Sequence, residues 1–113
     1  MPDSTDTIVE QRPNFVVVHV QHESLDEQNL AAVRADALAA GAGALQQPVV
    51  LDLAKVNFVP SLSLGALVTL HREFKARGQR LVLTGLKPLV REAMAITRLD
   101  RVLEIKNEAL AQG

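Results

Sequence analysis

The chain has 113 residues, a formal net charge of −1 at pH 7 and 48% hydrophobic residues, which suits one domain with a real core. A near-neutral charge lacks the basic excess that phosphate neutralisation needs, so neither direct nucleic-acid binding nor a polybasic membrane-surface role is expected. Cysteine, tryptophan and tyrosine are absent, which excludes disulfides, thiolate metal sites and cysteine nucleophiles and argues against an aromatic platform for bases.

Residues 1–6, MPDSTD, are polar and acidic and read as a disordered leader, without the apolar stretch of a signal peptide. No apolar run approaches the ~18 residues that spanning requires, so no membrane insertion is expected. A cytoplasmic location is the expectation. A single domain is expected over residues 7–112. Ile8 to Gln11 reads as a short strand, and Arg12-Pro13-Asn14 is a turn signal. Phe15 to Val20 is rich in β-branched residues and reads as the second strand of a hairpin.

Ser24 or Asp26 is placed to cap a helix in which Leu30, Val33, Ala37 and Leu38 recur at helical spacing. Gly41 and Gly43 end it. Val49 to Leu53 is almost wholly apolar, as in a strand covered on both faces. A second helix runs from Leu62 to Arg77, apolar around a wide arc, with Gly78 as its stop. That breadth suggests either a deeply buried helix or a surface for a partner or a second copy of the chain. Arg80 to Thr84 is another buried-type strand. Pro88 opens a third helix with Leu89, Ala93 and Ile96 as its stripe and Val90, Met94 and Thr97 alongside. Val102 to Ile105 is a short last strand, and Glu108 to Gln112 a brief final helix. Helices alternating with buried-type strands predict an α/β fold on a parallel or mixed sheet of four or five strands.

No constellation asks for catalysis. His19 and His22 lack the spacing of a zinc site, and His71 borders a helical stripe. Phosphate loops and the GxSxG elbow are absent. Asp52 ends a core strand, where α/β proteins place functional groups, but a lone carboxylate there serves equally as a turn residue. The chain calls for no cofactor and no metal, and an enzyme is not expected.

The stretch 49–67, VVLDLAKVNFVPSLSLGAL, resembles the signature of STAS domains, the family of bacterial anti-sigma factor antagonists. In that family a core strand ends in D-L-S-x-V-x-F-[ML]-D-S-[ST]-G-L-G and a helix follows. Asp52 to Val59 fits the first part and Leu64-Gly65 the end. Lys87-Pro88, Met94 and "LDRVLEI" at 99–105 look like the family's C-terminal half. The resemblance implies a STAS-like α/β fold: a four- to five-stranded mixed sheet with about four helices packed mainly on one side. It also implies regulation by protein contact. Family members dock on an anti-sigma factor that is also a serine kinase, which releases a sigma factor. Phosphorylation at the loop–helix junction then breaks the complex.

Laid over the family's D-S-[ST]-G-L-G, this chain reads Pro60-Ser61-Leu62-Ser63-Leu64-Gly65, so a leucine stands at the family's phosphoacceptor position. Residues 60–65 are the expected partner-binding surface. Three interpretations follow. Ser61 or Ser63 has taken over as acceptor; or the domain binds without phosphate control, as a subunit of a signalling scaffold or transporter complex; or the serines only cap the helix, a contribution of about 1 kcal/mol, and function lies elsewhere. A small ligand such as a nucleotide at the strand–helix loops is a further alternative, and a homodimer is left open.

Overall fold

The computed structural model describes residues 6–44 and 47–106. Five strands form one sheet: β1 (Thr7–Gln11), β2 (Val16–Val20), β3 (Val49–Asp52), β4 (Leu81–Thr84) and β5 (Glu104–Lys106). They lie side by side in chain order. β1 and β2 form the expected antiparallel hairpin, and the turn closes with the Arg12 amide donating to the Phe15 carbonyl at 2.9 Å. The other three pairings are parallel. The crossovers are α1 (Leu30–Ala42), α2 (Ser61–Ala76) and α3 (Pro88–Ile96), with a short 3-10 turn at Leu99–Arg101. Three α-helices are thus present among the described residues, against the four expected. The predicted helix at 108–112 lies outside them, as do residues 1–5 of the predicted leader.

Side chains alternate across each strand, so each strand offers its residues to two faces. Val16, Val18, Val20, Val49, Leu51, Leu81 and Leu83 share one core with Val33, Leu64, Leu67, Leu70, Phe74, Val90 and Met94 of the helices. The opposite parity, Val17, Val50 and Val82, forms a separate small cluster joined by Phe15, with no helical residue in it. All three helices therefore cover one face. Strands laid down in order with right-handed crossovers give this result, because each helix falls on the same side.

Local expectations shifted at three points. α1 begins at Leu30 with Asn29 as its flanking residue, and neither Ser24 nor Asp26 caps it. Instead Asp26 accepts from the Ser24 hydroxyl at 2.7 Å and the Gln28 amide at 3.0 Å, which builds a tight turn before the helix. In α3 the buried side chains are Val90 and Met94, whereas Leu89 and Ile96 are 73% and 74% exposed. Of the two adjacent apolar stripes named from sequence, the one with Val90 and Met94 is thus the buried one. The wide apolar arc of α2 is met mostly within the domain. Leu64, Leu67, Leu70 and Phe74 are buried, and Val68 packs at the margin.

A polar latch holds the end of α2 against the end of α1. Buried Gln79 places its amide nitrogen within 3.1 Å of the Gly41 and Ala44 carbonyls and 2.9 Å of that of Gln47. Arg77 donates to the Gln79 side-chain oxygen and the Leu38 carbonyl, and its guanidinium lies 4.7 Å from the Phe74 ring centroid. Gly41 leaves room for this stack, since an added Cβ would come within 2.7 Å of Phe74. Replacing Gln79 by leucine leaves these carbonyls without their donor, so Gln79→Leu is expected to lower stability by roughly 2–4 kcal/mol in urea unfolding.

Candidate functional site

The segment between β3 and α2 is built on fixed supports. Asp52 ends β3, and its Oδ1 accepts from the Ala54 amide at 3.0 Å, turning the chain out of the sheet. The Val56 amide bonds back to the Leu53 carbonyl at 3.0 Å. Further on, the Asn57 amide donates to the Glu23 carbonyl at 2.6 Å, and the Leu25 amide to the Phe58 carbonyl at 3.0 Å. The continuation of β2 thereby backs the loop. Leu53, Val56 and Val59 are buried and anchor it from below. Phe58, between two of these anchors, is turned outward and is 60% exposed.

α2 then starts at Ser61 with extended Pro60 as its flanking residue and no side-chain cap. Serine as the cap of this helix is therefore corrected. Proline before the first turn holds the preceding residue extended and fixes its own φ, which sets the entry of the chain without a hydroxyl. Ser61 is the first helical residue and is exposed. Leu62 is 63% exposed. Ser63 is fully buried, and its Oγ has no hydrogen-bond partner among the described residues. Ser63, the second candidate phosphoacceptor, is thus enclosed in the folded domain: its spacing from Leu67, Leu70 and Phe74 turns it toward the sheet. Leu64 is likewise buried.

The six expected residues thus split by helical periodicity. Ser61, Leu62 and Gly65 face out, Pro60 is half-buried at the entry, and Ser63 and Leu64 face in. Phe58 was not singled out from sequence, where an aromatic between Val56 and Val59 in an apolar run reads as core. Leu89 opens α3 at the same edge of the sheet, because α2 and α3 each follow a parallel strand. Gly65 is unusual. It sits in the second turn of α2, costs about 1 kcal/mol relative to alanine in a helix, and has nothing within 4 Å of the position a Cβ would take. No contact within the domain requires a glycine there.

A second set of groups lies behind the loop, on the face of the sheet opposite α1, α2 and α3. The pairing register places His19 of β2 beside Asp52 of β3. His19 Nδ1 lies 2.6 Å from Asp52 Oδ2, and Nε2 lies 2.8 Å from Glu10 Oε1 of β1. Arg12 Nε donates to the other oxygen of Glu10 at 2.6 Å. A carboxylate at each ring nitrogen needs a donor on both, which only the imidazolium supplies. Burial acts to lower the His19 pKa, but the hydrogen bonds that the ring donates to Glu10 and Asp52 outweigh it and raise the value above the ordinary one. Glu10 is held below the usual carboxylate range by the His19 hydrogen bond and then by Arg12. Near the loop, His22 pairs with Asp6 at 2.8 Å, and Lys55 donates to Gln21 at 2.8 Å. His71 of α2 is half-buried with Nδ1 unpartnered among the described residues.

A family model described as STAS domain matches residues 6–109. The fold is also that of solved structures. A STAS domain protein from Planctomyces limnophilus superposes with a TM-score of 0.79 at 23% identity, covering 95% of this chain and 94% of that one. The anti-sigma factor antagonist SpoIIAA in its unphosphorylated form gives 0.73 at 19% identity, covering 94% and 90%. A chain of the stressosome, a signal integration and transduction hub, gives 0.71 at 24% identity, covering 93% and 90%. No helix among the described residues is long and apolar enough to cross a membrane.

Two measurements check this geometry. Leu64→Ala is expected to cost about 2–5 kcal/mol of folding stability, and Leu62→Ala no more than about 0.5 kcal/mol, in parallel urea titrations. The His19 cluster has a defined sign. A raised histidine pKa contributes stability that is fully present below the ordinary value of about 6.5 and is lost as pH rises through the folded value. The lowered Glu10 contributes above its ordinary value and loses that contribution as pH falls through the folded one. The difference in urea midpoint between wild type and His19→Gln is therefore expected to be largest in the window between these values and to shrink toward both extremes.

Proposed function

The chain belongs to the STAS domain family, and from that premise we propose that it is a regulatory protein-binding module of the anti-sigma factor antagonist type, acting by contact rather than catalysis. Its docking surface is Phe58, Ser61, Leu62 and Gly65, and its partner an anti-sigma factor with serine-kinase activity. The setting would be cytoplasmic control of transcription by partner switching. The observation that carries this is the exposed pair Phe58 and Leu62 beside a glycine that nothing in the domain needs. Large apolar side chains held outward on a hydrogen-bonded loop are what a docking surface requires. A missing Cβ lets a partner's backbone approach the helix.

Ser61 is the hydroxyl available for phosphate control. It lies at the positive end of α2, in a first turn without acidic residues. A phosphate there adds nearly two negative charges. The free domain accommodates them at the helix terminus in water. A closed apolar interface would have to desolvate them, and the complex would open. The leucine at the family's acceptor position favours one second interpretation, a scaffold subunit that binds without this control.

The test uses a purified anti-sigma factor kinase with ATP, binding measured before and after the reaction, and mass spectrometry of the loop peptide. Expected are a complex with the unmodified domain, phosphate on Ser61 and none on Ser63, and loss of the complex on modification. Leu62→Asp is expected to weaken the complex at least about tenfold. Gly65→Ala is expected to stabilise the free domain by about 0.5–1 kcal/mol while weakening docking. A complex indifferent to both substitutions would move the docking surface elsewhere. A stable complex with Ser61 unmodified selects the scaffold subunit.

A further inference from the structure

We infer that His19, which no part of the docking surface contains, is a positioning residue for the β3–α2 loop and holds its point of departure through Asp52. The route is short and every step is a hydrogen bond. His19 Nδ1 holds Asp52 Oδ2 at 2.6 Å, and Asp52 Oδ1 holds the Ala54 amide at 3.0 Å. The carboxylate thus has one oxygen on the sheet and one on the loop. Gly85, in the turn after β4 with φ +72°, packs against the same group: an added Cβ would stand 2.7 Å from Asp52 Oδ1 and 3.2 Å from the Ala54 amide nitrogen. Asp52 is therefore where β3, the loop and the β4–α3 turn meet, and His19 fixes its rotation.

The position of His19 in the sheet makes the hold directional. Ile8, His19, Asp52, Thr84 and Lys106 form one row across all five strands on the face opposite α1, α2 and α3. The charged groups facing His19 are Glu10 and Arg12 from the β1 side and Asp52 from β3, with Thr84 and Lys106 further along the row. Glu10 has Arg12 as a second donor at 2.6 Å. Loss of the imidazolium proton leaves one nitrogen as a lone pair. If Nε2 keeps its hydrogen, Nδ1 faces the Asp52 carboxylate as a lone pair and that bond is lost; if Nδ1 keeps it, the bond remains but a neutral donor replaces the cation and the attraction between the two charges is gone. The loop's first turn then loosens while the strands, held by their own ladder, stay in register.

The raised His19 pKa places this change above the ordinary histidine range. The loop that presents Phe58 and Ser61 is thus firmest when His19 is charged. Its consequence for binding rests on the docking surface proposed above. The positioning itself does not, because it is read in the free domain without any partner.

The experiment is an NMR titration of the full chain from about pH 5 to about pH 9, following the His19 ring, the Ala54 amide shift and the rate of exchange of the Ala54 amide with water. The Leu51 amide, inside β3, is the internal reference. Expected is a step in the Ala54 shift at the His19 midpoint. Protection of Ala54, corrected for base catalysis, should fall about three- to tenfold across it, with Leu51 unchanged. In His19→Gln the step should be absent and Ala54 protection low at every pH. Wild-type Ala54 protection that ignores the His19 titration would overturn the inference, as would a step of the same size in His19→Gln. The wild-type profile decides the matter even where the variant folds poorly.

Discussion

Laying five strands down in chain order constrains everything else in this molecule. With each parallel step taken in the same direction, right-handed crossovers deposit α1, α2 and α3 on one face. The sheet is left with two unlike sides. One carries the main core, with Leu51, Leu83, Leu67, Phe74 and Met94 interlocked. The other, among the described residues, carries the small cluster of Val17, Val50 and Val82 with Phe15, and a row through His19 and Asp52. The same topology brings the starts of α2 and α3 to one edge of the sheet. A surface built from two helix starts and their loops follows without further design.

At that edge the loop from Leu53 to Pro60 alternates between anchors and outward side chains. Leu53, Val56 and Val59 are buried, and Phe58 is not. Backbone bonds to Glu23 and Leu25 fix the alternation from the side. α2 then divides Ser61 to Gly65 between its two faces at the helical period. A rigid loop with exposed apolar groups presents a preorganised surface, and ordering costs on binding are correspondingly small. The charged chain Arg12–Glu10–His19–Asp52 lies on the far side of the sheet yet touches the loop through one carboxylate. Sequence separation conceals this link, since Asp52 lies thirty-three positions after His19 in the chain.

Much of this was legible before any coordinates. The hairpin, three buried-type strands, three helices and their order came from periodicity and turn residues. The motif from Asp52 to Gly65 carried the resemblance to STAS domains, the family whose model matches residues 6–109. The errors have common causes. Two apolar stripes of equal length on α3 cannot be ranked by pattern alone, and Val90 and Met94 rather than Leu89 and Ile96 face the sheet. Ser24, Asp26 and Ser61 have the chemistry of caps, but Asn29 and Pro60 occupy the flanking positions. Cap propensity is local, whereas the residue at which a helix starts is fixed by where the chain leaves the sheet.

What the sequence determined by itself was the succession of elements and the family of fold, because hydrophobic period and glycine or proline punctuation act over a few residues. It also determined that residue 62 is a leucine with a serine on each side. Which of the two serines faces water was decided only in three dimensions. A rotation of about 100° per residue sends Ser61 outward and Ser63 under the helix once Leu67, Leu70 and Phe74 commit their face to the sheet. The pairing of His19 with both Glu10 and Asp52 was decided there too. It exists because β1, β2 and β3 are neighbours in one register, and no local pattern encodes a register between strands.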